Sequence, residues 1–290
     1  MPAKTALLIA LAILTVLYAV DFFTSLRRAL TLKTDSLVTG FVTNFFDTLG
    51  IGSFATTTAI FKFRNMVPDE RIPATLNVGH TLPVIFQAFI YIAVIEVDFV
   101  TLTLLIASAA LGGWVGVGLV SGLSKRAVQL GMGGMLLLAA AAMIMRQFEL
   151  FPAGGDALQL QGWRLAVGIV CNFIFGALSA LGIGFYAPCI TMISLLGMNP
   201  VAAFPIMMGS SAFLMPVASM RFLRKGAYLA SVAAGLTIGG MVGVPIAAFA
   251  VKSLPLNALR WLVIVIVLYA AVLMIRSANG VATQVLRSDA

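Results

Sequence analysis

Charge is what this sequence has least of. Asp, Glu, Lys and Arg together make up 10% of its 290 residues, against roughly 25% in a soluble domain. From Leu165 to Met220 there is no Asp, Glu, Lys, Arg or His. That stretch far exceeds the about 20 residues needed for one spanning helix. A water-soluble globular chain is excluded on that ground. Cysteine is nearly absent. Cys171 and Cys189 both lie in apolar segments, so neither a disulfide framework nor a metal site is indicated, and each reads as a small buried hydrophobe. Histidine occurs once, at His80. Walker A, Gly-x-Ser-x-Gly, His-Glu-x-x-His and Cys-x-x-Cys patterns are all missing. Those gaps argue against an ATP-driven pump and give an enzyme no motif to stand on. No cofactor and no metal are expected.

Hydrophobic residues are abundant, at 61%, with a mean hydropathy of +1.08. They form long runs, roughly 5–24, 36–61, 73–95, 99–122, 127–145, 163–197, 200–220, 227–251 and 257–275. Long runs predict helices and not an outer-membrane barrel. The first, Thr5–Val20, lacks a strong basic flank and a clear cleavage site, and reads as a retained helix. The net charge of +8 does not mark a nucleic-acid binder. Arg27, Arg28, Lys33, Lys62, Arg64, Lys125, Arg126, Arg221, Arg224 and Lys225 sit in the gaps between apolar runs, as the positive-inside bias requires.

Leu-Gly-Ile-Gly occurs twice, at Leu49–Gly52 and Leu181–Gly184, each inside an apolar run. A glycine pair there frees the backbone from the helix, which a bilayer tolerates only inside protein or beside a water-filled cavity. Two further matches follow in the same order. Gly79-His80-Thr81 corresponds to Gly209-Ser210-Ser211, and Gly112–Val117 to Gly239–Val244, at offsets of 132, 130 and 127 residues. The chain therefore reads as an N-terminal helix (1–35), a first repeat (36–146), a linker (147–161), a second repeat (162–277) and a short tail (278–290).

Charge decides how the broken segments run. If each crossed the membrane once, Lys62, Arg64 and Arg71 would lie opposite Arg27, Arg28 and Lys33, and Lys125 and Arg126 would also fall outside. If each dips in and returns, these basic groups share the cytoplasmic side with Arg221–Lys225 and Arg276. Glu96–Asp98, the linker and Gly197–Asn199 then fall outside, with Lys252 as the exception. The second arrangement has seven full crossings, two re-entrant hairpins, the amino terminus outside and two inverted repeats. The predicted fold class is an all-α polytopic membrane protein with glycine-broken, re-entrant or discontinuous helices. Inverted repeats of this kind underlie alternating access in secondary transporters.

The candidate site residues cluster at the breaks. Asn44, Gly50, Gly52, Ser53, Thr56 and Thr57 surround the first, and Gly182, Gly184 and Tyr186 the second, with Asn172 and Ser179 nearby. His80, Thr81, Ser210 and Ser211 follow them. A half-helix starting near Ser53 presents partnerless N–H groups and the positive end of its dipole, and such a terminus holds an anion without Arg or Lys. The competing reading is that the glycines only let helices pack closely. Asp47 is the only ionisable residue between Leu37 and Phe61; an intramembrane carboxylate is a functional candidate by default, here for proton coupling. His80 is the second such candidate, as relay or substrate donor, or else a satisfied polar group tying helices together. Pro83 and Pro216 free backbone carbonyls inside helices, and Asn77 and Gln87 add polar groups beside Pro83.

These features resemble the TauE/SafE family of sulfite exporters. The resemblance rests on the duplicated breaks at Gly50–Gly52 and Gly182–Gly184, the Gly-His-Thr and Gly-Ser-Ser segments and the Gly112–Gly116 and Gly239–Gly243 helices, and it covers roughly Leu37 to Ile275. Family members often carry a longer glycine run where Ser53 and Phe185 stand here. The resemblance implies a bacterial inner-membrane secondary transporter of a small sulfur-containing anion, such as sulfite or a two-carbon organosulfonate. Expected partners are that anion and the lipid bilayer, with no nucleic acid; a homodimer is the assembly to consider. A passive anion channel, a carrier of small organic acids and a membrane enzyme built on Asp47 and His80 are the rival readings.

Overall fold

A computed structural model describes residues 2–26, 32–120, 125–148, 155–179, 185–226, 228–253 and 255–288. Eleven α-helices carry them: α1 (Pro2–Leu26), α2 (Thr34–Thr48), α3 (Ser53–Arg64), α4 (Ile72–Val94), α5 (Phe99–Val120), α6 (Lys125–Gln147), α7 (Gly162–Ser179), α8 (Tyr186–Leu195), α9 (Ala203–Lys225), α10 (Ala230–Ser253) and α11 (Leu256–Ser288). Among the described residues there is no strand, only an isolated bridge between Ala157 and Met198. Among the described residues, six helices are long and apolar enough to cross a membrane: α1, α4, α7, α9, α10 and α11. The chain is an all-α, multi-pass membrane protein. Helix α11 runs on to Ser288, so residues 278–288 continue the helix where a short tail was expected.

After α1 the order of elements occurs twice. A pair of short helices leads through a 3-10 turn into a long helix, and two more long helices follow. The 3-10 turns are Asp69–Arg71 and Pro200–Ala202. Helices α2 and α3 have 15 and 12 residues, about 22 and 18 Å at 1.5 Å per residue, short of the roughly 30 Å hydrocarbon core. They form a hairpin that returns to its starting end: Arg64, the last residue of α3, pairs with Asp35 in the first turn of α2 at 3.2 Å. The second pair does the same. Asn199, after α8, donates to the Ala157 carbonyl, before α7, at 2.9 Å. Thus α7 meets the length criterion for a span yet is one arm of a hairpin.

In the first hairpin, glycines explain where the arms end. Gly50 has φ +94°. Its N–H reaches the Asp47 carbonyl at 2.8 Å and that of Ile51 reaches the Phe46 carbonyl at 3.1 Å, the Schellman pairing that closes a helix on a left-handed residue. Gly52, at φ +90°, turns the chain into α3.

The chain divides into two compact units, Met1–Ile106 with Pro205–Ser253, and Ala107–Phe204 with Leu254–Ala290. The units do not follow the two sequence repeats. In the first, α10 of the second repeat packs on α2 and α4 of the first. Gly235, Gly239 and Gly243 recur every fourth residue along α10, where a Cβ would strike Ser36, the Leu37 carbonyl and the Phe41 carbonyl of α2; Gly40 of α2 meets Leu236 in return. Small residues that let backbones touch are how helices associate where lipid supplies no hydrophobic drive. In the second unit, α5 and α7 meet in the same way, Gly112 against Phe173 and Gly176 against Ala109. Helix α1 joins the first unit through Tyr18 and Phe22, which pack with Ala74, Val78 and Leu223. Its Ile9, Ile13, Val16 and Leu17 stay exposed, as a lipid-facing surface would.

Candidate functional site

The first hairpin lies against a chain of buried polar side chains, all within the first compact unit. Asn44 and Asp47 come from the last turns of α2, Thr57 from α3, and His80, Gln87 and Tyr91 from α4. Each is buried, with His80, Asn44 and Gln87 wholly inaccessible. Residues 80, 87 and 91 recur at helical spacing, so one face of α4 supplies three of these groups.

Hydrogen-bond directions assign the His80 tautomer. Asn44 Nδ2 donates to the Gly40 carbonyl at 2.8 Å, which leaves Oδ1 as the atom facing His80 Nδ1 at 3.0 Å. An amide oxygen only accepts, so Nδ1 carries the proton. Nε2 of the neutral ring is then an acceptor, and the Thr57 hydroxyl donates to it at 3.0 Å. The ring of Phe54 lies 6.1 Å away, centroid to centroid. His80 therefore spends both nitrogens on joining α2, α3 and α4. The hydroxyl of Thr57 gives its one proton to the ring, and the arrangement clamps the hairpin onto α4.

Asp47 stands one turn beyond Asn44 and accepts from Gln87 Nε2 at 3.0 Å. Tyr91, one turn further along α4, donates to the Thr48 carbonyl at 2.9 Å. These two contacts secure the end of α2 where Gly50 breaks it. Asp47 and His80 thus bond different side chains, Gln87 for one and Asn44 with Thr57 for the other.

Other predicted residues are placed differently. Ser53 is buried at the first position of α3. The Thr56 hydroxyl turns back onto its own helix, bonding the Ser53 carbonyl at 2.9 Å and the Gly52 carbonyl at 3.2 Å. Thr81 bonds the Asn77 carbonyl at 2.6 Å and the Ser219 hydroxyl of α9 at 2.7 Å, bracing α4 on α9 and not reaching the hairpin. Gly79 O, which loses its helical donor at Pro83, is taken by the Thr237 hydroxyl of α10 at 2.8 Å. Ser210 and Ser211 are buried on α9. Tyr186 is buried at the first position of α8 beside Phe185. Gly182 and Gly184 lie outside the described residues.

Tyr91, Ser219 and Thr237 were not among the predicted site residues. A tyrosine or hydroxyl in an apolar helix carries no local signal of its partner; only the Pro83 at position i+4 of Gly79 marked a carbonyl in need of a donor. Gly240 also matters here, because a Cβ on it would come within 2.5 Å of Asn44 Nδ2 and 2.6 Å of Pro83 Cγ. Glycine at that point lets α10 close over the clamp. No metal cluster of three or more His, Cys, Asp or Glu occurs among the described residues. No protein-family model, no curated protein and no solved structure matches the chain.

Proposed function

We propose that this protein is a secondary transporter of a small sulfur-containing anion, sulfite or a two-carbon organosulfonate such as sulfoacetate, in a bacterial inner membrane. The observation that carries the reading is the first hairpin: two helices too short to cross, ending on Gly50 and Gly52, with a buried carboxylate at Asp47 and a clamped histidine behind the turn. Non-helical backbone at membrane depth is tolerated where it serves a binding cavity, and broken helices in repeated halves mark transporter sites. The start of α3 at Ser53 brings the positive end of a helix to this turn, which suits an anion in a region free of Lys and Arg. Asp47 is the proton-coupling group; His80, with both nitrogens engaged, holds the hairpin on α4. The ends that carry Arg64 and Arg224 face the cytoplasm under the positive-inside rule.

Reconstituted vesicles loaded against labelled sulfite, sulfoacetate and acetate test the proposal. Uptake of a sulfur anion above that of acetate, driven by an imposed proton gradient, is the expected result. Equal acetate uptake would favour a general organic-acid carrier, and uptake that never exceeds equilibrium would favour a passive channel. No flux of any anion removes the transporter reading.

A further inference from the structure

Gln87 carries an unbalanced hydrogen-bond account. Its Nε2 donates to Asp47 Oδ2 at 3.0 Å, while its Oε1 is buried and receives no hydrogen bond. Beside a carboxylate, which only accepts, one amide atom is left idle. Beside a carboxylic acid, both are used: the acid O–H donates to Oε1 while Nε2 donates to the other acid oxygen. The geometry points to Asp47 and Gln87 as an acid–amide pair, in which Asp47 holds the proton and Gln87 is the positioning residue whose Oε1 accepts the acid's hydrogen bond.

The surroundings agree with this assignment. On α2 the other acid, Asp35, belongs to the far end and pairs with Arg64. On α3 the titratable groups are Lys62 and Arg64, at its far end. Helix α4 brings His80, whose nitrogens meet Asn44 and Thr57, and Tyr91, which donates to the Thr48 carbonyl and is close enough to Asp47 to interact with it electrostatically. Helix α10 has no titratable residue before Lys252. On α1, Lys4 reaches the Ile95 carbonyl and Asp21 meets Arg224. Asp47 is the only buried Asp or Glu among the described residues.

The step balances simply. A proton from water adds to a carboxylate oxygen of Asp47, and the new O–H bonds Gln87 Oε1. Release returns the proton to water and leaves Oε1 unpaired again, so the pair has two states that differ by one hydrogen bond. Its use in coupled transport rests on the transporter reading above; the pair itself does not.

Infrared spectra of the full-length protein in lipid vesicles at neutral pH test it. The expected spectrum has a protonated-carboxyl C=O band that shifts in D2O, is lost in Asp47→Asn and moves to higher frequency in Gln87→Met, where the acid loses its acceptor. If Asp47→Asn fails to fold, wild type against Gln87→Met still decides. A wild-type spectrum with carboxylate bands only, an acid band that survives Asp47→Asn, or a carboxylate band that responds to Na+ would overturn the pair. Sulfite flux on the same vesicles separates the two proposals. An acid band without flux keeps the pair and removes the transporter; flux without an acid band does the reverse.

Discussion

Replacing Gly40 by Ala probes the seam on which the first unit is built. In isolation the change favours helix α2 by about 0.5–1 kcal/mol, because alanine is the better helix former. In the structure the new Cβ would lie 2.5 Å from Leu236 Cα and 2.8 Å from its carbonyl carbon. Both are backbone atoms that no rotamer change can move. To restore an ordinary 3.4 Å contact from 2.5 Å, α2 and α10 must part by about 0.9 Å at that point. A gap of that size forfeits roughly a quarter to a half of each dispersion contact along the seam. Overpacking costs about 1–3 kcal/mol, so after the helix gain of about 0.5–1 kcal/mol the net loss runs up to about 2.5 kcal/mol. At about 2–4 °C per kcal/mol for a chain of this order, the melting temperature falls by several degrees. Gly131 in α6 is the control: a Cβ there meets nothing within 4 Å, so Gly131→Ala takes the propensity gain alone and melts at or above wild type. Thermal unfolding in detergent can be followed with a thiol-reactive fluorophore in a Cys171→Ser background, because Cys189 is fully buried and Cys171 is not. A Gly40→Ala protein that melts as high as the Gly131→Ala protein would refute close backbone contact between α2 and α10.

Two more outcomes follow from the same geometry. The double variant Asp35→Cys, Arg64→Cys should be bridged by a short bifunctional maleimide, because Asp35 meets the end of the long Arg64 side chain across the open end of the hairpin. The lost ion pair is half-exposed and worth at most about 1 kcal/mol, so stability changes little; absence of the cross-link, or labelling of the two single cysteines from opposite sides, would sink the re-entrant hairpin. For the clamp, Thr57→Val and His80→Leu each destabilise. Their double-mutant cycle should show a coupling near the about 0.6 kcal/mol typical of interhelical hydrogen bonds in membranes, whereas additive losses would mean that Thr57 and His80 do not interact.

Much of this architecture was legible in the sequence because the bilayer imposes it. Scarce charge and long apolar runs require helices that satisfy their own backbone groups. The placement of Lys and Arg then chose a returning hairpin over a single crossing, and the Arg64–Asp35 and Asn199–Ala157 contacts bring the two ends of each hairpin together as that choice demands. The glycine pair at Gly50 and Gly52 was readable as a break because only glycine enters the left-handed region without strain. The extent of α11 was less legible: the polar residues after Ile275 read as a tail, although a helix already formed can propagate through them.

What the sequence alone determined is what depends on residue type and near neighbours: the helical class, the broken hairpins, the repeated order of elements and the exceptional carboxylate at Asp47. What only the tertiary structure decided is which side chains meet. Gly235, Gly239 and Gly243 show that α10 has a close-packing face, but not that this face accepts α2 from the other repeat. His80 and Asp47 stood out as the two rare ionisable groups, but nothing local told which side chains they would meet. The crossing of α2 on α4 gives His80 to Asn44 and Thr57, and Asp47 to Gln87. Hydrogen bonds act over about 3 Å, while these partners stand 23 to 40 residues apart, so their pairing is set by helix register and crossing, which no local pattern encodes.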